Sequence, residues 1–369
     1  MTRESDKRYM AVALGLGRRE QGRTSPNPSV GCVVVVDGRM VGRGWTQKGG
    51  RPHAETEALA QAGSAAKGAT AYVTLEPCAH HGKTPPCAQA LIDAQVARVV
   101  IATGDPDPRV AGQGISMLRE AGIKVETGIF EAEAQADHLG FFLRVLHGRP
   151  AVTLKLASSF DGRIATGTRQ SKWITGPQAR RSVHTMRARH DAVMVGGGTA
   201  RMDDPSLTVR EMGARQQPAR IVISRRLDLP LMGNLARTAK DVPVILCHGH
   251  DADGQLLETW QGLGATLLPC AVTGTQLDPE DVLQQLGTHG LTRIFCEGGS
   301  ALAASLIEAD LVDHLVGFTA GLTIGAEGLP SVGALGLGRL DEAARFQLTR
   351  LERLGPDVLH VWARSTPEI

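Results

Sequence analysis

Pro52-His53-Ala54-Glu55, read together with Thr74-Leu75-Glu76-Pro77-Cys78 and Pro86-Cys87, decides how the first half of this chain folds and what it holds. The set offers one imidazole, two thiols and one carboxylate. Three protein ligands leave a tetrahedral zinc with one open position, which marks a reactive site rather than a closed structural one. Water there is acidified by about 2 pK units relative to water on free aqueous zinc, worth about 3 kcal/mol. Glu55, just past the histidine, suits a proton shuttle between that water and a leaving group.

The order H-x-E, then P-C, then a further Cys is the layout of zinc-dependent base deaminases. One feature departs from the short spacing of that layout: Ala79-His80-His81-Gly82-Lys83-Thr84-Pro85-Pro86 separates the cysteines. A metal site accommodates this if the segment loops out, and the loop then carries groups suited to an anion. The plainer alternative is buried thiols and a surface histidine.

Working outward, 369 residues suggest two domains, each able to bury its own core. The formal net charge is +2 and aromatic residues make up 4%. Neither favours a nucleic-acid surface, which wants a basic face and stacking rings, so a small substrate is expected. No apolar run reaches membrane-spanning length and no hydrophobic segment follows Met1, so the reading is cytoplasmic, with no membrane partner. The six cysteines form no disulfide framework for a chain of this length. Cys78 and Cys87 belong to the zinc site, and Cys32, Cys247, Cys270 and Cys296 read as small buried residues.

In chain order, periodicity predicts a helix from about Asp6 to Arg19, then a loop at Thr24–Pro28. Gly31–Val36 reads as a buried strand, with Asp37-Gly38 turning it into Met40–Trp45. His53 and Glu55 fall at the first turn of a helix over 54–62, where backbone N–H groups point into the site. Thr70–Leu75 is a strand ending at Glu76-Pro77-Cys78, and Pro86-Cys87 opens a helix over 88–94. A strand at 98–102, a helix at 113–121 and a strand at 123–126 complete a sheet covered on both faces. Ligands at helix starts beyond strand ends sit where such sheets place their sites.

Pro26-Asn27-Pro28-Ser29-Val30-Gly31, His53-Ala54-Glu55 and the run from Thr74 through Cys87 resemble the deaminase half of the bifunctional riboflavin-biosynthesis family. That family deaminates a phosphoribosylaminopyrimidine and then reduces its ribose. The resemblance implies zinc ligands at His53, Cys78 and Cys87, and the proton shuttle at Glu55. It implies that Asn27 helps hold the pyrimidine and that His80, Lys83, Asp105 and Asp107 line the sugar-phosphate end. Turn formation remains the alternative for Asn27 and for Asp105-Pro106-Asp107-Pro108, and a solvated loop charge for Lys83.

Glu131–Leu146 has helical periodicity, and His147-Gly148-Arg149-Pro150 is the expected boundary, giving domains 1–148 and 149–369. Beyond it, strands are expected at 152–156, 192–195, 220–224, 242–246, 293–296 and 358–362, with helices at 280–286 and 301–307 between them. Thr175-Gly176-Pro177 starts a helix running to about Arg189, with Thr175 as cap. Gly196-Gly197-Gly198-Thr199 and Glu297-Gly298-Gly299-Ser300 read as Gly-rich turns after strands. The second, opening a helix, suits a phosphate. Neither is a GxGxxG fingerprint with a ribose-binding acid downstream, and tight packing is the alternative for each.

Ser158–Arg163, Ser171–Thr175, Asp203-Asp204-Pro205 with Leu207–Arg210, and Glu297-Gly298-Gly299 are similar to the reductase half of the same family. The whole resemblance implies an α/β chain. Its N-terminal part would be a cytidine-deaminase-like three-layer α/β/α domain, and its C-terminal part a dihydrofolate-reductase-like α/β domain using NADPH. Ala157, Trp173, Thr199, Asp203, Ser224, Gly299 and Ser300 would contact the cofactor. Ser171, Arg187, Leu207, Arg210 and Glu297 would contact the substrate. Arg187 and Arg210 suit a phosphate, because guanidinium meets it bidentately; an ion pair is the alternative for each, and plain core for Trp173. The partner implied is a phosphoribosyl-pyrimidine, with a homo-oligomer through the reductase half left open. Three rivals stand beside this reading: a polynucleotide deaminase with a binding module, a reductase with structural zinc, and a second half that binds a nucleotide for regulation only.

Overall fold

Asp37 and Gly38 both take positive φ, 46° and 76°. They fold β1 (Gly31–Val36) directly back onto β2 (Arg39–Trp45), as a two-residue hairpin turn requires. The computed structural model describes residues 3–79, 85–108, 110–214 and 216–364. The chain divides into two units, Met1–Arg149 and Pro150–Ile369.

In the first unit, β3 (Thr70–Leu75), β4 (Arg98–Thr103) and β5 (Lys124–Thr127) complete a five-stranded sheet ordered β2-β1-β3-β4-β5. The hairpin side is antiparallel, and β3, β4 and β5 run parallel. Side-chain alternation sends the strands' apolar residues to two faces. Val33, Val35, Tyr72 and Val100 pack with Tyr9, Met10 and Ala13 of α1 (Arg3–Gly17). Cys32, Val34, Val73, Val99 and Ile101 pack with Ala54 and Ala58 of α2 (Ala54–Ala62), Ala88 and Leu91 of α3 (Cys87–Asp93), and Leu118 of α4 (Gln113–Glu120). The result is a three-layer α/β/α unit, closed by α5 (Glu131–His147).

Close packing sets where α2 sits. An added methyl at Gly44 of β2 would overlap the Ala54 carbonyl and lie 2.6 Å from the Ala58 nitrogen. The helix that begins beside His53 therefore rests on a strand backbone with no side chain between. Gly44→Ala is expected to destabilise the unit by about 1–3 kcal/mol, the usual range for overpacking, and to weaken metal retention. Gly15→Ala, where a Cβ meets nothing within 4 Å, is the control. Urea denaturation with metal analysis checks both.

The second unit runs β6 (Ala151–Ser159), β7 (Arg163–Ala165), α6 (Pro177–Arg187), β8 (Ala192–Gly196), α7 (Gly197–Asp203), β9 (Ala219–Ile223), α8 (Asn234–Arg237) and β10 (Val244–His248). It continues through α9 (Gly254–Gly262), β11 (Thr266–Pro269), β12 (Val272–Thr273), β13 (Gln276–Leu277), α10 (Pro279–Thr288) and β14 (Arg293–Gly298). It ends with α11 (Ser300–Glu308), β15 (His314–Ala320), β16 (Leu329–Pro330), β17 (Phe346–Leu354) and β18 (Asp357–Arg364). A nine-stranded sheet has the order β11-β10-β9-β8-β14-β6-β15-β18-β17. It is parallel from β11 through β15, with β18 and β17 antiparallel at one edge.

Its faces carry separate cores. Val152, Met194, Ile221 and Ile294 pack with Leu283, Leu286, Ala303 and Leu306 of α10 and α11. Val193, Val195, Val222 and Leu246 pack with Ala200 of α7 and Trp260 of α9. Helices α7 and α11 thus leave neighbouring strands β8 and β14 toward opposite faces. Open parallel sheets place ligands at the carboxyl ends of strands whose connections diverge in this way.

Two local expectations change. Gly176, not Thr175, is the N-cap of α6: it is extended, at φ −72° and ψ 176°, directly before Pro177, which takes the first helical turn as expected, and Asp357 Oδ2 accepts from its N–H at 2.7 Å. The Gly196–Thr199 segment is not an open turn, since α7 begins at Gly197.

Candidate active sites

The two metal-site helices of the first unit begin at the same place. His53 is the N-cap of α2 and Cys87 the first residue of α3. His53 Nδ1 lies 3.2 Å from Cys87 Sγ and 3.8 Å from Cys78 Sγ. All three donor atoms fall within 4.8 Å of one another. A tetrahedron with zinc–sulfur bonds of about 2.3 Å and zinc–nitrogen bonds of about 2.0 Å has edges of about 3.5–3.8 Å, so spacing and donor chemistry both fit zinc. The Cys87 backbone N–H donates to Cys78 Sγ at 3.3 Å, and a helix start favours a thiolate.

The electrostatics agree. The Cys78 thiol is pulled down to about 4, first by a hydrogen bond from the Cys87 thiol, then by His53 and the Cys87 N–H, against burial. Hydrogen bonding to Cys78 raises His53 above its usual value, and Cys87 is pushed up by Cys78 and by burial. Glu55 is only 3% exposed. Burial raises its carboxyl, with His53 opposing, and it and the Cys87 thiol influence each other's ionisation.

Asn27 lies beside this cluster's approach segment: its Nδ2 donates to the Gly50 carbonyl at 3.5 Å, and a Cβ on Gly50 would overlap it. Asp105 Oδ1 accepts from the Asp107 N–H at 2.8 Å. Burial, with the Asp107, Glu76 and Cys78 charges adding, pushes its carboxyl up to about 7. His80 and Lys83 lie outside the described residues. Glu76, a residue the sequence reading did not assign, proves to organise this end. Its carboxylate accepts from the N–H groups of Gly112 and Ile115 at 3.1 Å each and of Asp105 at 3.4 Å. It ties the strand end before Cys78 to the loop carrying Asp105.

In the second unit, Cys296 pairs with Leu154, which sets Glu297 beside Lys155. Glu297 is held by Arg187 through Nε and, at 3.0 Å, through Nη2, and Lys155 Nζ lies 3.9 Å away. The side chains of Lys155, Arg187 and Glu297 are 16%, 12% and 11% exposed. Burial opposes ionisation of Glu297, yet Arg187 and Lys155 together hold its carboxyl below the usual range. Burial lowers Lys155. Lys155 was not singled out from the sequence, although a lysine inside the apolar run Ala151–Leu156 was the signal available.

Arg187 also gives Nη1 to the Thr208 carbonyl at 2.8 Å, so it is largely committed to protein partners, whereas Arg210 is exposed. Leu207, at φ 53°, is buried in the core with Val195 and Ala200. Ser171 is half-buried. Trp173 is 67% exposed with Arg180 stacked 4.6 Å over its ring, which rules out plain core.

Thr199 and Gly299 meet at the carboxyl ends of β8 and β14. Thr199 Oγ1 donates to the Gly298 carbonyl at 3.2 Å, and a Cβ on Gly299, at φ 101°, would meet Thr199 Oγ1 at 2.9 Å. Ser300 opens α11, Ala157 lies on β6 next but one to Lys155, and Asp203 ends α7, exposed. Ser224 is buried just past β9 and donates to Asp228 Oδ1 at 3.3 Å. Glycine-bordered backbone at a helix start suits a nucleotide phosphate.

Comparison with known proteins matches each unit. Residues 3–103 match the cytidine and deoxycytidylate deaminase zinc-binding region, and residues 150–360 match the RibD C-terminal domain. Riboflavin biosynthesis protein RibD of Aquifex aeolicus is 40% identical, covering 99% of this chain and 100% of that one. The chain belongs to the RibD family. RibD of Escherichia coli is 41% identical over 96% of this chain and 99% of its own. Among solved structures, Acinetobacter baumannii RibD superposes with a TM-score of 0.87 at 37% identity, covering 98% of this chain and 99% of that one. The deaminase/reductase of Thermotoga maritima gives 0.86 at 32% identity, with the same coverage. As a RibD enzyme the chain is a bifunctional deaminase and reductase of riboflavin biosynthesis, acting on pyrimidine substrates, with a zinc-binding first half. A RibD reductase domain implies a nucleotide cofactor. Among the described residues no helix is long and apolar enough to cross a membrane.

Proposed function

We propose that this RibD chain, working in the cytoplasm, first deaminates 2,5-diamino-6-(5-phosphoribosylamino)pyrimidin-4(3H)-one and then reduces the product's ribosyl group to a ribityl chain with NADPH. The observation that carries the first step is the convergence of His53, Cys78 and Cys87 beside a buried Glu55. Those three residues would hold zinc, which supplies an acidified water near neutral pH. Glu55 takes a proton from the attacking water and passes it to the departing amine. Asn27 orients the pyrimidine, while Asp105, tied to Glu76, and Asp107, tied to Asp105, serve the sugar-phosphate end, for which His80 and Lys83 are the further candidates by resemblance.

In the second unit the carboxyl ends of β8 and β14 would seat NADPH against Thr199, Gly299 and Ser300, with Ala157, Trp173, Asp203 and Ser224 as further contacts. NADPH supplies hydride, and the protein orients the sugar toward it. Glu297, fixed by Arg187, and the neighbouring Lys155 form a buried charged wall that holds the open sugar and manages its proton. Ser171, Leu207 and Arg210 complete the substrate side. Exposed Arg210 has the freer guanidinium for the phosphate, and Arg187 chiefly holds Glu297.

The test supplies the diaminopyrimidine ribotide with and without NADPH and follows products by mass. Ammonia release without cofactor, followed by NADPH oxidation that needs the deaminated product, is expected. NADPH oxidation indifferent to that product, or ammonia release that requires NADPH, would overturn the assignment.

A further inference from the structure

Leu207 and Glu211 both take positive φ, 53° and 60°, a region that large side chains rarely adopt. Such backbone persists only where its surroundings over-determine it, and the residues between, Thr208-Val209-Arg210, are held from two sides. The Gln217 side chain takes both backbone groups of Val209: Oε1 accepts from its N–H at 2.7 Å, and Nε2 donates to its carbonyl at 3.0 Å. Helix α6 supplies the other side. Arg187 donates Nη1 to the Thr208 carbonyl at 2.8 Å, and the Arg210 N–H donates to His184 Nδ1 at 3.3 Å. His184 and Arg187 are three residues apart on α6 and so share one helix face.

The consequence falls on Arg210. Its side chain is exposed, so its direction depends on how firmly its backbone is held. Arg187, which grips Thr208, also holds Glu297 through Nε and Nη2. The segment is thereby tied to the buried charged wall, and His184 is the last link before the Arg210 side chain. Accepting at Nδ1 requires a neutral imidazole with its proton on Nε2. Burial, with Arg187 and Arg210 adding and Glu297 opposing, holds His184 below its usual value, so the accepting lone pair is present at neutral pH.

We infer that His184 is a positioning residue of the reductase unit, which holds the backbone of Arg210 so that its guanidinium meets the substrate's phosphate. The inference deepens the reading of Arg210 as the phosphate contact and rests on it. Guanidinium and phosphate meet through two parallel charge-assisted hydrogen bonds of strict geometry, and a backbone fixed beforehand lowers the ordering cost of binding.

Reductase kinetics at saturating NADPH are measured on the full chain with the deaminated ribotide and with its dephosphorylated riboside. His184→Ala should raise KM for the ribotide about 3- to 10-fold, the worth of one hydrogen bond, with a smaller change in kcat. His184→Phe, which keeps a ring and removes the acceptor, should do the same. His184→Asn, whose Oδ1 stands close to the place of Nδ1, should restore most of the loss. On the riboside all three should match wild type in kcat/KM, because there is no phosphate to meet. In an Arg210→Ala background, removing His184 should add nothing. Circular dichroism establishes that the variants are folded. Equal losses on ribotide and riboside, or a His184 effect that persists without the Arg210 side chain, would overturn the inference while leaving the phosphate reading in place. An unchanged ribotide KM in Arg210→Ala would overturn both.

Discussion

Glu55→Gln should lower ammonia release by about 10²- to 10⁴-fold, the range a positioned general acid–base contributes, while zinc content stays at the wild-type level. Glutamine keeps the shape of the side chain and removes its ability to accept and return a proton. Glu55 lies at the first turn of α2, two residues from His53, and is almost fully buried, so bulk water is a poor substitute. Steady-state ammonia assays with metal analysis on the same preparation separate the outcomes. Unchanged deamination would leave zinc as a purely structural element. Loss of activity together with loss of metal would make Glu55 a support of the site and not its proton carrier. NADPH oxidation on pre-deaminated substrate should be unaffected, because Glu55 belongs to the first unit.

The second large effect is expected from Glu297→Gln. Removing one partner of a buried ion pair costs about 3–5 kcal/mol, because the remaining charge is left uncompensated. Here two cations, Arg187 and Lys155, lose their shared anion. Reductase activity should fall with stability, whereas ammonia release persists under native conditions. The pH dependence has a definite sign. Burial already lowers Lys155 below its ordinary 10.5, and loss of Glu297 lowers it further. Where the unfolded chain binds more protons than the folded one, stability rises with pH. The deficit of Glu297→Gln should therefore be greatest near neutrality and shrink as pH rises toward the unfolded value of Lys155. Urea denaturation at a series of pH values reads this directly, and a pH-independent deficit would remove Lys155 from the cluster.

The first unit was largely legible because its signals are local. Asp37-Gly38 dictates a hairpin, and Pro before His53 and before Cys87 marks helix starts at strand ends. What the sequence did not reveal was Glu76, whose three backbone partners sit 29 to 39 residues away. The second unit was less legible. Strand β15 contains Gly317, whose missing side chain makes room for the His360 ring, and such a glycine weakens a strand signal. Strand β17 is an exposed edge with charged residues among its leucines, as edge strands often are, so no alternating apolar pattern marks it. The helix start falls one residue later than Thr175 because Pro177 takes the first helical turn and leaves Gly176 as the cap; the bond from its N–H to Asp357, far along the chain, is not visible locally. Lys155 was passed over because its partner Glu297 becomes a neighbour only through the β6/β14 register.

Metal analysis of the purified full chain, paired with its ammonia-release rate, tests the convergence of His53, Cys78 and Cys87 most directly. About one zinc per chain is expected, with metal and ammonia release lost together in Cys87→Ser. Protein free of metal that still releases ammonia at the full rate would contradict the account.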